Sequence, residues 1–243
     1  RRVRWDPATG SVHTDSEERL GAIVVGSSSS RGADEAELEA VVADTLGRSG
    51  PSVLPGWPDT AGLRQRIAFA AAAGLEAPSG SWPELGTEAA ASSPQWLAQR
   101  LVASSTSPGH TSLRCDGPSL HTVFDAALSY EDRRLLDTEV PKRWRSPSGR
   151  ELRLHYGSVD GDPASVALSC RLQDLLGVDV HPTVGRTRVP VSVELLSPAG
   201  RPLQRTLDLP GFWRGTYAQV RAEMRGRYPK HRWPQHPWEP DSR

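Results

Sequence analysis

Only two cysteines, Cys115 and Cys170, occur in the 243 residues, and neither belongs to a CxxC pair. A disulfide framework is therefore excluded, and reduced thiols in a cytoplasmic setting are the expectation. No run of about 18 apolar residues exists to span a bilayer as a helix, and the opening RRVRWDPATG lacks the apolar core of a signal peptide. Net charge is also missing: 29 Lys and Arg balance 29 Asp and Glu. Any attraction for phosphate must then be confined to patches. GxxxxGK[ST], a DEAH or DEAD box and GxGxxG are all absent, which removes the nucleotide-binding chemistry of those motifs. There is no GxSxG elbow to present a serine nucleophile and no HExxH helix to hold zinc.

What is present suits a turn-rich globular chain: 37% hydrophobic residues, 22 glycines and 21 prolines. The length allows one large domain or two small ones. Charge is unevenly placed. Asp34, Glu35, Glu37, Glu39 and Asp44 make an early acidic helix, whereas Phe212 to Trp233 holds six Lys or Arg and one acidic residue. The chain starts abruptly in a strand-like segment, so it is expected to be a piece of a longer protein.

Arg2 to Val12 reads as a hairpin across Asp6-Pro7-Ala8-Thr9-Gly10, with a further strand from Leu20 to Val25. Gly26 to Gly32 (GSSSSRG) reads as a mobile, low-complexity linker. Helical periodicity then predicts Ala33 to Leu46 stopped by Gly47, Leu63 to Ala73 closed by Gly74, Pro94 to Val102, Ser119 to Leu128 and Glu131 to Val140. From Pro141 the period changes. Arg143 to Arg145 and Arg150 to Tyr156 form a hairpin over SPSG, and ASVALSCRLQDLLG splits into a strand and a helical turn ending at Gly177. Val189 to Leu196 and Leu203 to Leu207 form a second hairpin over Ser197 to Gly200, and a single helix follows, ending at Gly226. The order implies a mixed α+β class.

Several constellations invite chemistry. Asp160-Gly161-Asp162 resembles the start of a calcium loop, but Arg171 stands where a bidentate Glu is needed, so a solvated turn is the better reading. His121 and Asp125 share a helix face without a third ligand, and His110, His155 and His181 are isolated. The last helix carries more. Trp213, Tyr217, Val220 and Met224 lie within about 60° of one another at about 100° per residue, with an Arg214, Arg221 and Arg225 stripe beside them. Past the helix the basic run continues through Arg227, Tyr228, Lys230, His231, Arg232 and Trp233. The cations suit phosphates, and Tyr228 or Trp233 offers a ring for an unpaired base. The plainer reading makes the aromatics core and the arginines a solvated face.

SPAGRPLQRTLDLPGFWRGTYAQVRAEMRGRYPKHRWPQHP, from Ser197 to Pro237, resembles the C-terminal signature of the bacterial HrpB-type ATP-dependent helicases, DEAH-box proteins of the DEAH/RHA group. RELRLHY, SCRLQDLLG and RVPVSVELLSPAGRP match the same pattern in order, as do RVRWDPATGSV and ERLGAIVV near the start; the likeness is weakest from Gly26 to about Leu113. Gly211, Phe212, Trp213, Gly226, Arg227, Tyr228, Pro229, Lys230, His231, Trp233 and Pro234 carry over as a motif, and no catalytic residue carries over.

The resemblance implies that residues 1–26 are the last strands of an OB-like sheet, and the residue pattern adds a loop-rich helical region (27–140) and a C-terminal mixed α/β module of short hairpins plus helices (141–243). It implies ATP and Mg2+ for the full-length protein but no cofactor in this fragment, with RNA and the helicase core as partners and no membrane. Two functions follow as expectations: an accessory region that contacts nucleic acid or docks on the core, or a protein-interaction module that recruits a partner. The contact residues expected are Arg214, Arg221, Arg225, Arg227, Tyr228, Lys230, His231, Arg232 and Trp233.

Overall fold

The computed structural model describes residues 1–83, 93–105, 107–157 and 162–239, and the class is α+β. Asp160 and Gly161 of the acidic loop lie outside the described residues. By internal contacts the chain divides into two units: Arg1–Arg64 with Trp82–Ser129, and Gln65–Ser81 with Tyr130–Arg243.

The first unit opens with an antiparallel sheet of β1 (Arg2–Trp5), β2 (Val12–Leu20) and β3 (Ile23–Arg31). The β1–β2 turn forms as its sequence suggests: Asp6 accepts from the Ala8 amide at 3.0 Å and the Thr9 hydroxyl at 2.8 Å. The stretch expected to be a mobile linker is a strand instead. Gly26 to Arg31 lies in β3, paired with β2 from His13↔Arg31 to Glu18↔Gly26. A serine run has weak preferences of its own, but the ladder offered by β2 satisfies its backbone, and an exposed ribbon tolerates polar side chains on both faces.

Helix α1 (Glu35–Ser49) starts on Asp34, whose carboxylate accepts the Glu37 amide at 2.9 Å. It runs through Gly47 and ends at Gly50, so Gly47 is not its stop. α2 (Ala61–Ala72) gives its first turn to this unit and the rest to the other. Buried Leu38, Val42 and Leu46 of α1 face α3 (Pro94–Ala103), which buries Leu97 and Leu101. α4 (Gly117–Ala126) is capped by Asp116, whose carboxyl is lowered to about 2, chiefly by hydrogen bonds from Ser119. Under α4 the Phe124 ring meets Trp57 edge-on, and the Arg64 guanidinium lies 3.8 Å over the Trp57 ring.

The second unit continues with α5 (Tyr130–Glu139), β4 (Arg143–Arg145), β5 (Glu151–Tyr156), β6 (Val166–Arg171), β7 (Thr183–Val184), β8 (Val189–Pro190), β9 (Ser192–Leu196) and β10 (Pro202–Thr206), then α6 (Leu209–Arg214) and α7 (Tyr217–Arg227). Its five-stranded sheet has the order β10-β9-β6-β5-β4, parallel only between β6 and β9. Leu154, Tyr156, Val166, Leu168, Cys170, Val193 and Leu195 fill the inner face. Phe69 of α2 packs on Tyr156 there, with ring centroids 4.8 Å apart. Two expected elements are broken. Val189–Leu196 divides at Val191, whose amide donates to the Pro182 carbonyl at 3.0 Å, into β8, which ends on Pro190 and pairs with β7, and β9 in the main sheet; proline, with no amide to donate, suits a strand end. The single C-terminal helix is two, separated at Gly215, where φ −108° and ψ −100° leave the helical region.

Candidate nucleic-acid interface

The site grows from the start of α6. Asp208 accepts the Gly211 amide at 2.9 Å and so caps the helix. The next orphan amide, that of Leu209, donates to Nδ1 of His181 at 3.1 Å, while His181 Nε2 donates to the Val191 carbonyl at 2.9 Å. Both contacts require the neutral imidazole with its proton on Nε2. Burial lowers the pKa of His181, against raising contributions from Val191 and Asp208.

Phe212, Trp213 and Tyr217 then form an aromatic cluster with centroids 5.1–6.1 Å apart, built across the helix break rather than along one helix face. The Trp213 indole donates to the Val178 carbonyl at 2.8 Å, which fastens α6 to the loop after the β6 turn. Met224 of α7 is buried and Val220 half-buried, so the apolar stripe read from the sequence does face the core. Gly226 does not end the helix as expected: it sits inside α7 without a left-handed φ, and Tyr228 is the C-cap.

Beyond α7 the tail folds back and is tied down along its length, including a contact from the Gln173 amide to the Arg232 carbonyl at 3.5 Å. The Tyr217 hydroxyl donates to the Pro234 carbonyl at 2.8 Å, and Arg221 Nε donates to the Trp233 carbonyl at 2.8 Å. The Trp233 indole donates to the Tyr228 carbonyl at 3.0 Å, and the Gly177 amide to the Pro237 carbonyl at 2.7 Å. Trp233 is only 7% exposed. Its ring anchors the tail and presents no face for a base to stack on.

The nine expected contact residues thus divide. Arg214 pairs with Asp179 at 2.7 Å and lies 5.5 Å over the Trp238 ring. Arg221 and Trp233 hold the tail, and half-buried Tyr228 packs its ring edge-on to His231 at 6.2 Å. Arg225, Arg227, Lys230, His231 and Arg232 are exposed, Arg227 within 3.7 Å of Glu223 one turn earlier. The exposed cations follow one another along the last turn of α7 and the residues after it. Reading along the chain missed two features: the capping role of His181, whose partner Leu209 lies 28 positions away, and a set of arginines on the main sheet, separated in sequence by strand alternation. His121 directs Nε2 at the Asp59 carbonyl, 3.2 Å away. Among the described residues no three His, Cys, Asp or Glu side chains gather to hold a metal ion.

Residues 96–237 match the family model described as ATP-dependent helicase C-terminal. This chain belongs to the HrpB C-terminal family. Over 236 residues it is 33% identical to the ATP-dependent RNA helicase HrpB of Escherichia coli strain K12, covering 97% of this chain and 28% of that protein. Two solved structures are similar in fold: the E. coli DExH-box NTPase HrpB, with TM-score 0.71 and 31% identity over 98% of this chain, and the E. coli DEAH/RHA helicase HrpB, with TM-score 0.62 and 30% identity over 96%. The chain spans 28% of each of those chains. Among the described residues of this HrpB-type region, no helix is long and apolar enough to cross a membrane.

Proposed function

We propose that this chain is the accessory C-terminal region of a cytoplasmic ATP-dependent RNA helicase, and that its exposed basic rim touches the RNA backbone. The observation that carries the reading is the division of labour at the C-terminus: the aromatic half is buried and fastened, while Arg225, Arg227, Lys230 and Arg232 project from that support. Phosphate contacts of this kind position a protein on nucleic acid without reading sequence. In this reading ATP and Mg2+ belong to the longer protein. The residues present do not fit them, since no phosphate-cradling loop occurs and no carboxylates cluster among the described residues. The test compares RNA affinity and RNA-stimulated ATPase of the full-length protein with and without residues 141–243. Weaker affinity and lost stimulation support substrate engagement; an unchanged enzyme overturns it.

A second reading, docking onto the helicase core, draws on a different observation. At the tip of the β2–β3 hairpin Leu20, Ile23, Val24 and Val25 are all exposed, Leu20 by 74%. Apolar side chains gathered at one tip suit burial against another domain, and the same strands are where we place the end of an OB-like sheet. Ile23→Glu with Val25→Glu would then lower the ATPase of the full-length protein without changing RNA affinity at saturation. Unaltered ATPase removes this reading.

A further inference from the structure

We infer that the solvent face of the five-stranded sheet is a second nucleic-acid surface, one that grips the phosphate backbone through arginines on β4, β5 and β6. The inference deepens the RNA-contact reading above and rests on it. Strand alternation places the residues. On β5 Leu154 and Tyr156 point into the core while Glu151, Arg153 and His155 point out; on β6 Leu168 and Cys170 point in while Ser169 and Arg171 point out. Register carries the same face across the sheet. Arg143 of β4 stands opposite Arg153, Arg145 opposite Glu151, and Glu194 of β9 stands between Ser169 of β6 and Arg205 of β10.

Five arginines therefore share this face with two glutamates, and both glutamates are engaged. Glu151 accepts from Arg143 at 3.0 Å; Glu194 accepts the Ser169 hydroxyl at 2.7 Å and lies 3.9 Å from Arg205. Among the described residues, Arg145, Arg153 and Arg171 have no acidic group within ion-pair distance, and all three are exposed. A like-charged pair directly opposite on neighbouring strands, Arg143 and Arg153, weakens a sheet by itself. Glu151 answers the charge of Arg143 but not that of Arg153, and a polyanion laid across the strands would supply the missing counter-charge.

The composition selects nucleic acid over a protein partner. Protein interfaces centre on aromatic and large apolar residues, and the outward positions here offer only half-buried Ala167 and Leu196. Neighbouring strands lie about 4.8 Å apart and outward positions recur about every 6.8 Å along a strand, so the guanidiniums form a grid of planar, fixed-charge donors suited to successive phosphates. Among the described outward positions His155 carries the one exposed ring, and the guanidiniums outnumber it, so the contact is chiefly to the backbone and carries little base identity.

The experiment measures binding of the 243-residue chain to fluorescein-labelled oligouridine by anisotropy, across a salt series. Arg145→Glu, Arg153→Glu and Arg171→Glu together should weaken binding about tenfold or more at low salt and flatten the log–log salt slope by about 2, for three contacts at about 0.7 each. Thermal melting checks the fold, and the matching Arg→Gln triple, which adds no charge, replaces it if the first variant is unfolded. Arg225→Glu with Lys230→Glu tests the rim separately. Rim loss with an intact sheet effect keeps this inference and shares the backbone between two faces; rim loss alone keeps the proposed function and overturns the inference. No binding by the unaltered chain overturns both. If the sheet variants bind RNA normally but lose fluorescent poly-glutamate, the face meets an acidic protein and the inference is wrong.

Discussion

Arg221 lies in the cationic stripe of α7, yet its Nε donates to the Trp233 carbonyl at 2.8 Å and the side chain is half-buried. The guanidinium closes the loop between the helix and its returning tail. Arg221→Met should keep the aliphatic packing, lose the charge-assisted bond, and cost about 1–2 kcal/mol in urea unfolding. RNA affinity should change little compared with Arg225→Glu. A variant as stable as the parent but weak for RNA would return Arg221 to the binding surface.

Arg66 is 4% exposed and caps a helix from outside it. Its Nε donates to the Val140 carbonyl at 2.7 Å, and one Nη donates at 2.8 Å both to the Leu136 carbonyl and to Asp137. These are the carbonyl end of α5, where a cation is favoured by the helix dipole. Arg66→Met should cost about 3 kcal/mol, because it strands buried acceptors, whereas Asp137→Asn at an exposed carboxylate should cost under about 1 kcal/mol. Equal effects in chemical denaturation would mean the carboxylate, not the helix end, holds the arginine.

How much of this was readable from the chain follows from how local each signal is. The β4–β5 hairpin was readable because SPSG and strict alternation are contained within a dozen residues, and the five middle helices showed their period in the same way. Gly26 to Arg31 was not, since a serine run becomes a strand only when β2 lies beside it. The break at Gly215 was hidden because a helical wheel stays continuous through any glycine. At the candidate site the aromatic stripe was legible, but the fates of Arg221 and Trp233 depend on a tail returning over α7. The sheet-face arginines become neighbours only through strand register.

Gly211 is held to hydrogen by its own cap. A Cβ there would stand 2.1 Å from Oδ2 of Asp208, the carboxylate whose Oδ1 accepts the Gly211 amide. Gly211→Ala must therefore swing the carboxylate away and lose the cap, at about 0.5–2 kcal/mol. In a double-mutant cycle, Asp208→Ala with Gly211→Ala should be no less stable than Asp208→Ala alone. Additive losses would place the clash elsewhere.

Burial pushes the thiols of both Cys115 and Cys170 up to about 12, with Asp116 and Asp174 adding to it. The thiolate is the reactive form. At mildly alkaline pH a disulfide reagent should label neither cysteine in the native chain and both in urea. Rapid native labelling of either would show that its part of the core opens readily.

His181 makes the second unit sensitive to acid. Its Nδ1 accepts the Leu209 amide, so adding a proton there removes the acceptor and faces one N–H with another. Burial already holds its folded pKa below the ordinary 6.5, and the unfolded chain therefore takes up a proton that the folded chain refuses. Stability is complete above about pH 6.5 and falls as pH drops from there toward the folded pKa. His181→Gln has no such titration. The urea midpoint of the parent should fall between about pH 7.5 and about pH 5.5 by more than that of His181→Gln, the difference isolating this imidazole from the other histidines. Equal falls in the two proteins would show that the cap at α6 survives protonation of His181.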